Sequence, residues 1–394
     1  MLIDRALVTW FPGPASYTGE DLLEIGSHGG SLTPQLVLDA VLAVGARMAE
    51  PGEFTRRAYL NGKVDLLQAE ATLDLIEARS VVLQRAAIAQ LERGLSRRIE
   101  DLRQGLIELQ ALLAYSIDFP DEDEGPVPEE RVDAAIASLR SGIEELLRNA
   151  PEGELLRDGA LTVIAGRPNA GKSSLFNALL GQERAIVTEL PGTTRDAIEA
   201  LLSVDGYPFR LVDTAGYRDR PERIESLGIE VAEAYLSRAD LILFCAESGR
   251  PLADNEEEFL AKWSDGDAEG PTRVLRVRTK SDLQTDAGAE DEIPVSVETG
   301  QGLVELRERM LEAVYHGLRA EEETPLVTRR RQARALERAR DDVSSFEAAR
   351  GAGLPPEVVA THLQDAQLAL EELIGIVDTE DVLDAVFASF CIGK

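Results

Sequence analysis

The sequence predicts an α/β domain inserted into an α-helical domain, with a small α+β domain in front of both. Three observations support this prediction. Strand-like and helix-like segments alternate over residues 160–318, as βαβ units of a mainly parallel sheet require. Apolar residues recur every three or four positions in residues 66–116 and again after Pro325. Because each such helix has one apolar face, the two helical segments can bury these faces by packing together as one domain.

The domain boundaries are predicted where these patterns change. Residues 1–62 contain a strand-like start and helical spacing over 33–44, and they end near the turn signal Asn61-Gly62-Lys63. The N-terminal domain is predicted to cover residues 1–62, and the inserted domain residues 159–318. The two halves of the helical domain are predicted to cover residues 63–158 and 319–394.

Apolar stripes on one helix face predict the helical domain. The longest stripe consists of Leu91, Leu95, Ile99, Leu102, Leu106, Leu109 and Leu113. A further helix over 132–146 is expected to end near Pro151. Three more stripes follow the inserted domain and begin at Leu336, Val359 and Leu383.

The inserted domain contains short apolar runs that predict strands. These runs cover residues 161–165, 200–204, 209–212, 241–245, 274–277 and 293–297. Asp205-Gly206 separates the second run from the third and predicts a tight hairpin turn.

Composition limits the classes of function. With 44% hydrophobic residues in 394, the chain is not globally disordered. Its 41 basic and 72 acidic residues give a net charge of −31, which opposes nucleic-acid binding through broad phosphate neutralisation. A nucleic-acid substrate would therefore need a local basic patch or a partner protein. The basic cluster Arg329-Arg330-Arg331 is expected to be a solvated helix face, with a phosphate contact as the alternative.

Cysteine content and hydropathy predict a cytoplasmic protein without a membrane span. The chain has two cysteines, Cys245 and Cys391, and they suggest no disulfide framework, which fits a reducing compartment. Cys245 falls in a predicted buried strand, where a small thiol is ordinary. No apolar run is long enough to span a bilayer, and no signal peptide is found.

A phosphate-binding loop is the strongest motif of the chain. Residues 166–174 read Gly-Arg-Pro-Asn-Ala-Gly-Lys-Ser-Ser and lie between a predicted strand and a predicted helix, which is the context such a loop requires. Gly166 and Gly171 allow the backbone N–H groups to point at phosphate oxygens at a helix N-terminus. Lys172 is expected to reach the β- and γ-phosphates, and the Ser173 hydroxyl to bind Mg²⁺. The inserted domain is therefore a predicted P-loop domain.

Two short strings after this loop predict switch regions. In Gly192-Thr193-Thr194-Arg195-Asp196, a threonine hydroxyl can bind Mg²⁺ and its N–H can contact the γ-phosphate. Asp213-Thr214-Ala215-Gly216 follows a predicted strand, so that Asp213 would hold Mg²⁺ through water and the Gly216 N–H would contact the γ-phosphate. Each string is weak alone, but together and in this order they indicate a nucleoside triphosphatase.

Thr279-Lys280-Ser281-Asp282 predicts that the base is guanine. The Asp282 carboxylate can accept hydrogen bonds from guanine N1–H and N2–H₂, which adenine does not offer. Ser296-Val297-Glu298 would close over the base. The motif order resembles the translation-factor-like GTPases, whose base motif is Asn-Lys-x-Asp. Thr279 stands where that family has Asn, which predicts lower guanine affinity with specificity kept by Asp282.

The predicted GTP-binding set combines these motifs. It consists of Asn169, Ala170, Gly171, Lys172, Ser173, Ser174, Thr188, Thr193, Thr194, Asp213, Thr214, Ala215, Gly216, Thr279, Lys280, Asp282, Ser296, Val297 and Glu298. Ser173 and Thr194 are the predicted Mg²⁺ ligands.

Several longer strings extend the resemblance to one family. The ending Phe390-Cys391-Ile392-Gly393-Lys394, the string Gly192–Asp196 and N-terminal strings such as Pro51-Gly52-Glu53-Phe54 resemble the MnmE (TrmE) family of tRNA modification GTPases. The resemblance runs from about residue 6 to the last residue. Family members begin with a further strand and a Gly/Arg-rich loop before the start of this chain, so the resemblance implies a partial N-terminal domain and puts folate binding and constitutive dimerisation in question.

The resemblance implies a function and partners. The family acts with the FAD protein MnmG (GidA), in a heterotetramer, to form 5-carboxymethylaminomethyluridine at C5 of the wobble uridine (U34) of certain tRNAs. The one-carbon unit comes from a tetrahydrofolate derivative of the 5-formyl or 5,10-methylene type. GTP hydrolysis drives a cycle in which the GTPase domains of a homodimer meet.

The resemblance also implies a K⁺ site and a catalytic residue. K⁺ takes the place of an arginine finger, and Asn169 matches the family's K⁺ ligand, with Thr188, Leu190 and Thr193 completing the cage. For Asn169 the alternative is a turn residue that tolerates the left-handed conformation. Glu225, in the string Ile224–Glu230, matches the family's water-orienting glutamate. Its alternative is an ordinary glutamate on a surface helix.

The family's folate site maps to charged residues near both ends of the chain. Glu24, Lys63 and Lys394 match folate-binding positions, although each would otherwise be an ordinary surface charge. Cys391 is a candidate nucleophile, and its alternative is a small residue packed beside Phe387 and Phe390.

Two other functions compete with the main hypothesis. A ribosome-assembly GTPase would bind RNA itself, but such proteins usually carry a basic domain after the GTPase block, and this chain ends in acidic helices. A nucleotide-gated scaffold would bind GTP without turning it over.

Overall fold

The computed structural model describes residues 2–118, 128–181, 198–213, 233–264, 273–283, 291–320, 325–377, 380–391 and 393. It divides into two compact units. Unit 1 comprises Met1–Glu77, Ala86–Leu146 and Arg331–Lys394, and unit 2 comprises Ala78–Arg85 and Leu147–Arg330. The fold class is confirmed, since a P-loop α/β block interrupts a helical unit; the four predicted domain boundaries stay a prediction.

The strands, in chain order, are β1 (Leu7–Phe11), β2 (Leu22–Gly26), β3 (Ala160–Gly166), β4 (Ile198–Val204), β5 (Tyr207–Asp213), β6 (Leu241–Glu247), β7 (Arg273–Thr279) and β8 (Glu292–Val295). The helices are α1 (Leu32–Ala43), α2 (Glu53–Leu60), α3 (Leu66–Glu77), α4 (Val81–Leu91), α5 (Gly94–Asp118), α6 (Glu129–Arg148), α7 (Ala150–Asp158), α8 (Lys172–Gly181), α9 (Asp254–Ser264), α10 (Leu303–Ala320), α11 (Arg330–Gly351), α12 (Pro356–Ile374) and α13 (Glu380–Ala388).

Unit 2 is built on a six-stranded sheet with the order β4-β5-β3-β6-β7-β8. Every neighbouring pair is parallel except β4 and β5, which form an antiparallel hairpin. The hairpin turn is the predicted Asp205-Gly206, with φ of 48° and 88°. Positive φ at both central residues is the geometry of a tight hairpin turn, which Asp and Gly tolerate. The mainly parallel sheet is therefore confirmed, with one antiparallel strand at its edge.

The central strand β3 is buried on both faces of this sheet. Ala160 and Ile164 lie in one apolar cluster, whereas Leu161, Val163 and Ala165 lie in another. Successive residues of a strand point to opposite faces, so an uninterrupted apolar run is what a strand covered on both sides needs. Parallel pairing then places the carboxyl ends of β3, β5, β6 and β7 at one edge of the sheet, where the predicted motifs meet.

The expected helix end near Pro151 is confirmed, and a further helix begins directly after it. The predicted helix α6 ends at Arg148, and Pro151 stands in the first turn of α7. Proline suits this position, since the first N–H groups of a helix have no partner inside it. The Glu152 carboxylate accepts hydrogen bonds from the N–H groups of Gly317 and Leu318 at 3.1 and 2.8 Å. Pro151 therefore lies in the first turn of α7, and the hydrogen bonds of Glu152 join this helix to α10.

The long predicted stripe forms the core of unit 1. Leu95, Ile99, Leu106 and Leu109 on α5 are at most 1% exposed. Leu91, however, belongs to α4, because that helix ends at Leu91 and α5 begins at Gly94. Sequence spacing alone did not detect the interruption, since the residues on both sides keep the same apolar period.

The expectation of a solvated arginine cluster is wrong for Arg331. Its guanidinium forms two hydrogen bonds of 3.0 and 3.1 Å to the carboxylate of Glu70, a residue 1% exposed. Gln332 donates a third bond to Glu70 at 2.8 Å. Arg330 pairs with Glu154, and Arg329 is 8% exposed. A buried carboxylate requires such partners, so at least Arg331 stabilises unit 1 and is not available to bind nucleic acid.

The N-terminal hairpin exposes an apolar face. Strands β1 and β2 pair antiparallel, with Val8 opposite Ile25 and Trp10 opposite Leu23. Directly opposed residues share one face of a sheet. These four side chains, which we call the hairpin face, are 38–57% exposed. The predicted helix over 33–44 is present as α1, but it contains no buried residue. Nothing among the described residues covers the hairpin face.

An ion-pair network at the start of α2 stabilises unit 1 in a pH-dependent way. Hydrogen bonds from Arg47, the Glu50 N–H and Arg57 hold the pKa of Glu53 well below its ordinary value of 4.5. The folded state therefore binds the Glu53 proton less tightly than the unfolded state. The resulting stabilisation is complete above pH 4.5 and is lost as the pH falls further.

We expect the Glu53→Gln variant to lose less of its free energy of unfolding between pH 6 and pH 3.5 than the wild type does, as measured by denaturant titrations of unit 1 at these two pH values. The exposed Glu357→Gln is the control, and equal pH slopes for wild type and Glu53→Gln would contradict the expectation.

Among the described helices, none combines the length and the apolar character needed to cross a bilayer.

Candidate nucleotide-binding site

The phosphate loop connects β3 to α8 and has the backbone geometry that its sequence predicts. Gly166, Asn169 and Gly171 have φ of 134°, 65° and 83°. Glycine adopts positive φ at little cost, and asparagine is among the residues that tolerate the left-handed region best. α8 begins at Lys172, so the loop lies at a helix N-terminus, where the free N–H groups favour an anion.

Position 166 requires glycine for two reasons: its backbone has a positive φ, and a neighbouring strand leaves no room for a side chain. A Cβ on Gly166 would lie 2.2 Å from the carbonyl oxygen of Cys245 on β6. We expect Gly166→Ala to lower the free energy of unfolding of unit 2 by about 3 kcal/mol and to weaken GTP binding, because it adds backbone strain and a clash with a neighbouring strand. Denaturant unfolding and nucleotide titration measure both effects. Gly181→Ala, at the end of α8, is the matched control, because no described atom lies within 4 Å of the added Cβ. Equal stability of the two variants would contradict the expectation.

Lys172 and Ser173 bring the predicted phosphate and Mg²⁺ groups to the mouth of the loop. The Lys172 ammonium donates hydrogen bonds to the carbonyl oxygens of Gly166 at 2.8 Å and Arg167 at 2.7 Å. The Ser173 hydroxyl donates to the Asp213 carboxylate at 2.8 Å. Asp213 ends β5, next to β3 in the sheet, and is 4% exposed. A hydroxyl beside a carboxylate is the hard oxygen set that Mg²⁺ prefers, so these residues fit that ion.

The base-recognition segments also meet at this edge of the sheet. The Ser296 hydroxyl, in a residue with 0% exposure, donates to the Asp282 carboxylate at 2.6 Å. Lys280 pairs with Glu247 at the end of β6, with 3.0 Å between Nζ and Oε1. Ser281 N–H donates to the Val295 carbonyl at 3.2 Å, which ties the segment to β8. The carboxylate that would read guanine is thus held in place by its neighbours.

Thr279 contacts the phosphate loop. It ends β7 and is 2% exposed, and its hydroxyl lies 2.7 Å from the Ala170 carbonyl oxygen. The Ala246 carbonyl oxygen is 3.2 Å from the same hydroxyl.

The sequence did not indicate the role of Arg167. Its guanidinium lies 3.1 Å from the Glu256 carboxylate and donates to Asn255 at 2.8 Å, both on α9. Glu256 is 7% exposed and also accepts the N–H of Ala253. An arginine within a phosphate loop suggests a phosphate contact, but here it anchors the loop to a neighbouring helix. The acidic residues in the first turn of α9 were the only feature of the sequence that could have predicted this ion pair.

Cys245 lies beneath the phosphate loop and is chemically inert. Burial raises the pKa of its thiol to about 12, so that it carries no thiolate at neutral pH. This confirms its interpretation as a small buried residue of β6.

Part of the predicted site lies outside the described residues. Of the remaining GTP-binding residues that the structure describes, Asn169, Ser174 and Glu298 are exposed and Val297 is half-buried. The described residues do not include Thr188, Leu190, Thr193, Thr194, Thr214, Ala215, Gly216, Glu225 and Lys394. The K⁺ cage, the water-orienting role and the second Mg²⁺ ligand therefore stay predictions.

Two of the predicted folate residues, Glu24 and Lys63, lie among the described residues, and the folate site itself stays a prediction. Glu24 is exposed on β2, and Lys63 donates to the Pro14 carbonyl oxygen at 3.0 Å. No hydrogen bond or ion pair joins these two side chains. Cys391 is exposed, and its two alternatives, a nucleophile or a small residue packed beside Phe387 and Phe390, stay predictions. Its carbonyl oxygen accepts the Gly52 N–H at 3.4 Å, which holds the last described segment against the start of α2.

Comparisons with known proteins find sequence relatives that cover the whole chain. The family model "MnmE helical domain" matches residues 66–391, and "GTP-binding protein TrmE N-terminus" matches residues 1–63. The tRNA modification GTPase MnmE of Geobacter metallireducens is 41% identical over 100% of this chain and 86% of its own length. The protein of the same name from Heliobacterium modesticaldum is 42% identical over 100% of this chain and 86% of its own length. Among solved structures, the G domain of the T. maritima FeoB iron transporter is 28% identical over 39% of this chain and 96% of that chain, with a TM-score of 0.29.

Proposed function

The chain belongs to the MnmE family of tRNA modification GTPases, and from that premise we propose that it drives formation of 5-carboxymethylaminomethyluridine at U34 of tRNA together with the FAD protein MnmG. Its GTPase activity follows from the family, and GTPases of this kind use Mg²⁺. The observation that best supports the proposal is that identity near 40% extends over the whole chain, through the phosphate loop and the helical unit alike.

The described residues support the GTP-dependent part of this proposal. The Lys172 ammonium, held by the carbonyl oxygens of Gly166 and Arg167, would contact the β- and γ-phosphates. Ser173 and Asp213 would hold Mg²⁺, the first directly and the second through water. When bound, the ion neutralises charge that develops on the transferred phosphoryl group. The Asp282 carboxylate accepts a hydrogen bond from the Ser296 hydroxyl and would accept the two guanine donors.

K⁺-dependent dimerisation of the GTPase domains is the second part of the proposal. Asn169 is exposed within the phosphate loop, and among the described residues its side chain has no hydrogen-bond partner. Its amide oxygen would be a ligand to K⁺, and Thr188, Leu190 and Thr193 would supply the others. A cation there stabilises transition-state charge as an arginine finger does. Glu225 would orient the attacking water.

Phosphate release measured in KCl and in NaCl tests this part. We expect K⁺ to raise the rate of GTP hydrolysis, and we expect this stimulation to disappear in Asn169→Ala while GTP binding in NaCl stays unchanged. Glu225→Ala should lose turnover in both salts with binding retained. Equal rates in the two salts for the wild type would overturn the K⁺ proposal and leave the nucleotide site intact.

The homodimer and the folate site are the third part. The hairpin face exposes four apolar side chains on one sheet face, and contiguous apolar patches of this kind mark interaction surfaces. We propose that a second copy of the chain covers the hairpin face and that a tetrahydrofolate derivative binds near Glu24, Lys63 and Lys394.

Sedimentation of the Trp10→Ser and Leu23→Ser variants tests the proposed dimer, since both substitutions should shift the protein towards monomer. Titration of 5-formyltetrahydrofolate tests the proposed folate site.

The function itself is tested by the nucleosides of tRNA. A bacterial strain lacking its own MnmE should regain modified U34 when it expresses this chain, as measured by mass spectrometry of digested tRNA. Lys172→Ala should fail to restore the modification, and Lys262→Ala, at an exposed position of α9, should restore it. Absence of U34 modification by the wild-type chain, with GTPase activity present, would overturn the proposal.

A further inference from the structure

Three metal-ligating side chains converge in unit 1. Asp342 lies on α11, and His362 and Asp365 lie on α12. One ligand atom from each side chain, a carboxylate oxygen or a ring nitrogen, lies within 4.8 Å of the other two. Asp342 and His362 are half-buried, and Asp365 is exposed. We call these three side chains the Asp-His-Asp cluster.

The positions of the cluster residues suit two neighbouring helices. His362 and Asp365 are three positions apart on α12, so their side chains share one face of that helix. Asp342 belongs to α11, and Arg338, one turn earlier on α11, pairs with Glu372 near the end of α12. The cluster therefore joins two helices that are already in contact. Metal sites in helical domains are built in this way, from side chains on facing helices that include such i,i+3 pairs.

Within the described part of the chain, nothing pairs with the cluster. None of its three side chains makes a hydrogen bond or an ion pair with another described residue. Arg338 acts on the Asp342 carboxylate only from a distance, because it pairs with Glu372. Burial, together with the nearby Asp365 carboxylate, raises the pKa of Asp342 above its ordinary value of 3.8. Two carboxylates this close together repel each other, and a bound cation would remove that cost.

The ligand types select the class of ion. One imidazole nitrogen and two carboxylate oxygens suit zinc and neighbouring transition metals, whereas Mg²⁺ and Ca²⁺ prefer oxygen ligands alone. Three protein ligands leave a fourth tetrahedral position for water. Zinc lies about 2.0–2.2 Å from such ligands, so the three atoms would have to move inward by less than about 1 Å. Asp365 is exposed, and its side chain has the freedom for such a movement.

We propose that the Asp-His-Asp cluster binds a divalent transition metal, with Zn²⁺ fitting best, and that the ion clips α11 to α12. This inference is independent of the nucleotide site and of the role in RNA modification. The ligands come together only in the folded chain, so the ion stabilises unit 1 by binding to it. The alternative is a solvated surface of two helices, whose charged groups bind no specific ion.

Titration of ZnCl₂ into the full chain tests the site, without nucleotide so that no phosphate adds ligands in unit 2. We expect the wild type to bind Zn²⁺, and we expect the midpoint of denaturant unfolding to rise with ZnCl₂ and to return when EDTA is added. Loss even of a partner behind a metal ligand costs about 10–100-fold in affinity, so His362→Asn and Asp365→Asn should each weaken binding at least tenfold. MgCl₂ at the same concentration should give no shift that depends on these residues.

His316→Asn is the matched control. His316 is exposed on α10, and its Nδ1 lies 2.6 Å from the Glu312 carboxylate, so this pair offers two ligands of similar chemistry in unit 2. The variant should bind Zn²⁺ as the wild type does. Asp365→Asn changes an exposed side chain and keeps the packing of the helices, which covers the case in which His362→Asn disturbs it.

Three results would overturn the proposal. The first is the absence of Zn²⁺ binding by the wild type. The second is equal Zn²⁺ binding by the wild type, His362→Asn and Asp365→Asn, which would mean an adventitious ion only, held elsewhere. The third is a stabilisation by MgCl₂ as large as that by ZnCl₂, which would mean that the carboxylates attract cations without the imidazole.

Discussion

Replacing Lys172 with alanine is expected to abolish GTP hydrolysis and to weaken GTP binding by a factor on the order of a hundred or more. The Lys172 side chain is 7% exposed, and the Gly166 and Arg167 carbonyl oxygens fix its ammonium group. Hydrogen bonds to charged groups contribute about 1.5–3 kcal/mol each, and each 1.4 kcal/mol corresponds to a factor of ten. Losing contacts to two phosphates therefore gives a factor of this size.

Nucleotide titration and phosphate release measure the two effects of Lys172→Ala. The matched control is Lys262→Ala, which removes an exposed lysine on α9 whose ammonium lies 5.2 Å from the ring of Trp263. It should bind and hydrolyse GTP as the wild type does. GTP affinity within threefold of wild type in Lys172→Ala would mean that the loop does not hold the phosphates, and the assignment of the site would fail.

Asp282→Asn should exchange the preferred base. The wild-type carboxylate accepts from guanine N1–H and N2–H₂, and the Ser296 hydroxyl holds it at 2.6 Å. An amide offers one acceptor and one donor in the same place. It therefore loses a guanine contact and gains one to the 2-carbonyl of xanthine. We expect GTP affinity to fall about a hundredfold and XTP affinity to rise above that of GTP.

Competition of GTP, XTP and ATP for a fluorescent nucleotide measures this exchange. Asp254→Asn removes an exposed carboxylate at the start of α9 and should leave the order of preference unchanged. If Asp282→Asn still preferred GTP to XTP, another residue would have to read the base, and the assignment of Asp282 would be wrong.

The sequence predicted those parts of the site that depend on local backbone chemistry. Gly166, Gly171 and Asp205-Gly206 were recognised because positive φ restricts the residues that fit, and the structure has positive φ at all four. The strands of unit 2 were recognised because a sheet buried on both faces needs unbroken apolar runs. Such signals are contained in a few consecutive residues.

The sequence could not predict contacts between residues far apart in the chain. Arg331 and Glu70 are 261 positions apart, and Thr279 and Ala170 are 109 apart. A charged or hydroxyl side chain looks the same in sequence whether its partner is water or a buried group. Only the folded arrangement decides between them, which is why Arg331 was expected in solvent and Thr279 was expected at the nucleotide. Exposure of α1 and of the hairpin face had no sequence signal either, since both carry ordinary apolar patterns.

The distribution of tryptophan offers a way to observe self-association without labels. The chain has two tryptophans, and each compact unit contains one: Trp10 on the hairpin face is 57% exposed, and Trp263 at the end of α9 is 8% exposed. The indole emission of Trp10 should be red-shifted in a monomer and should shift to the blue when another surface excludes water from it. Trp263, already shielded from water, would serve as an internal reference in the same spectrum. Replacing either indole with phenylalanine would separate the two signals and turn the intrinsic fluorescence of the chain into a direct reading of its assembly.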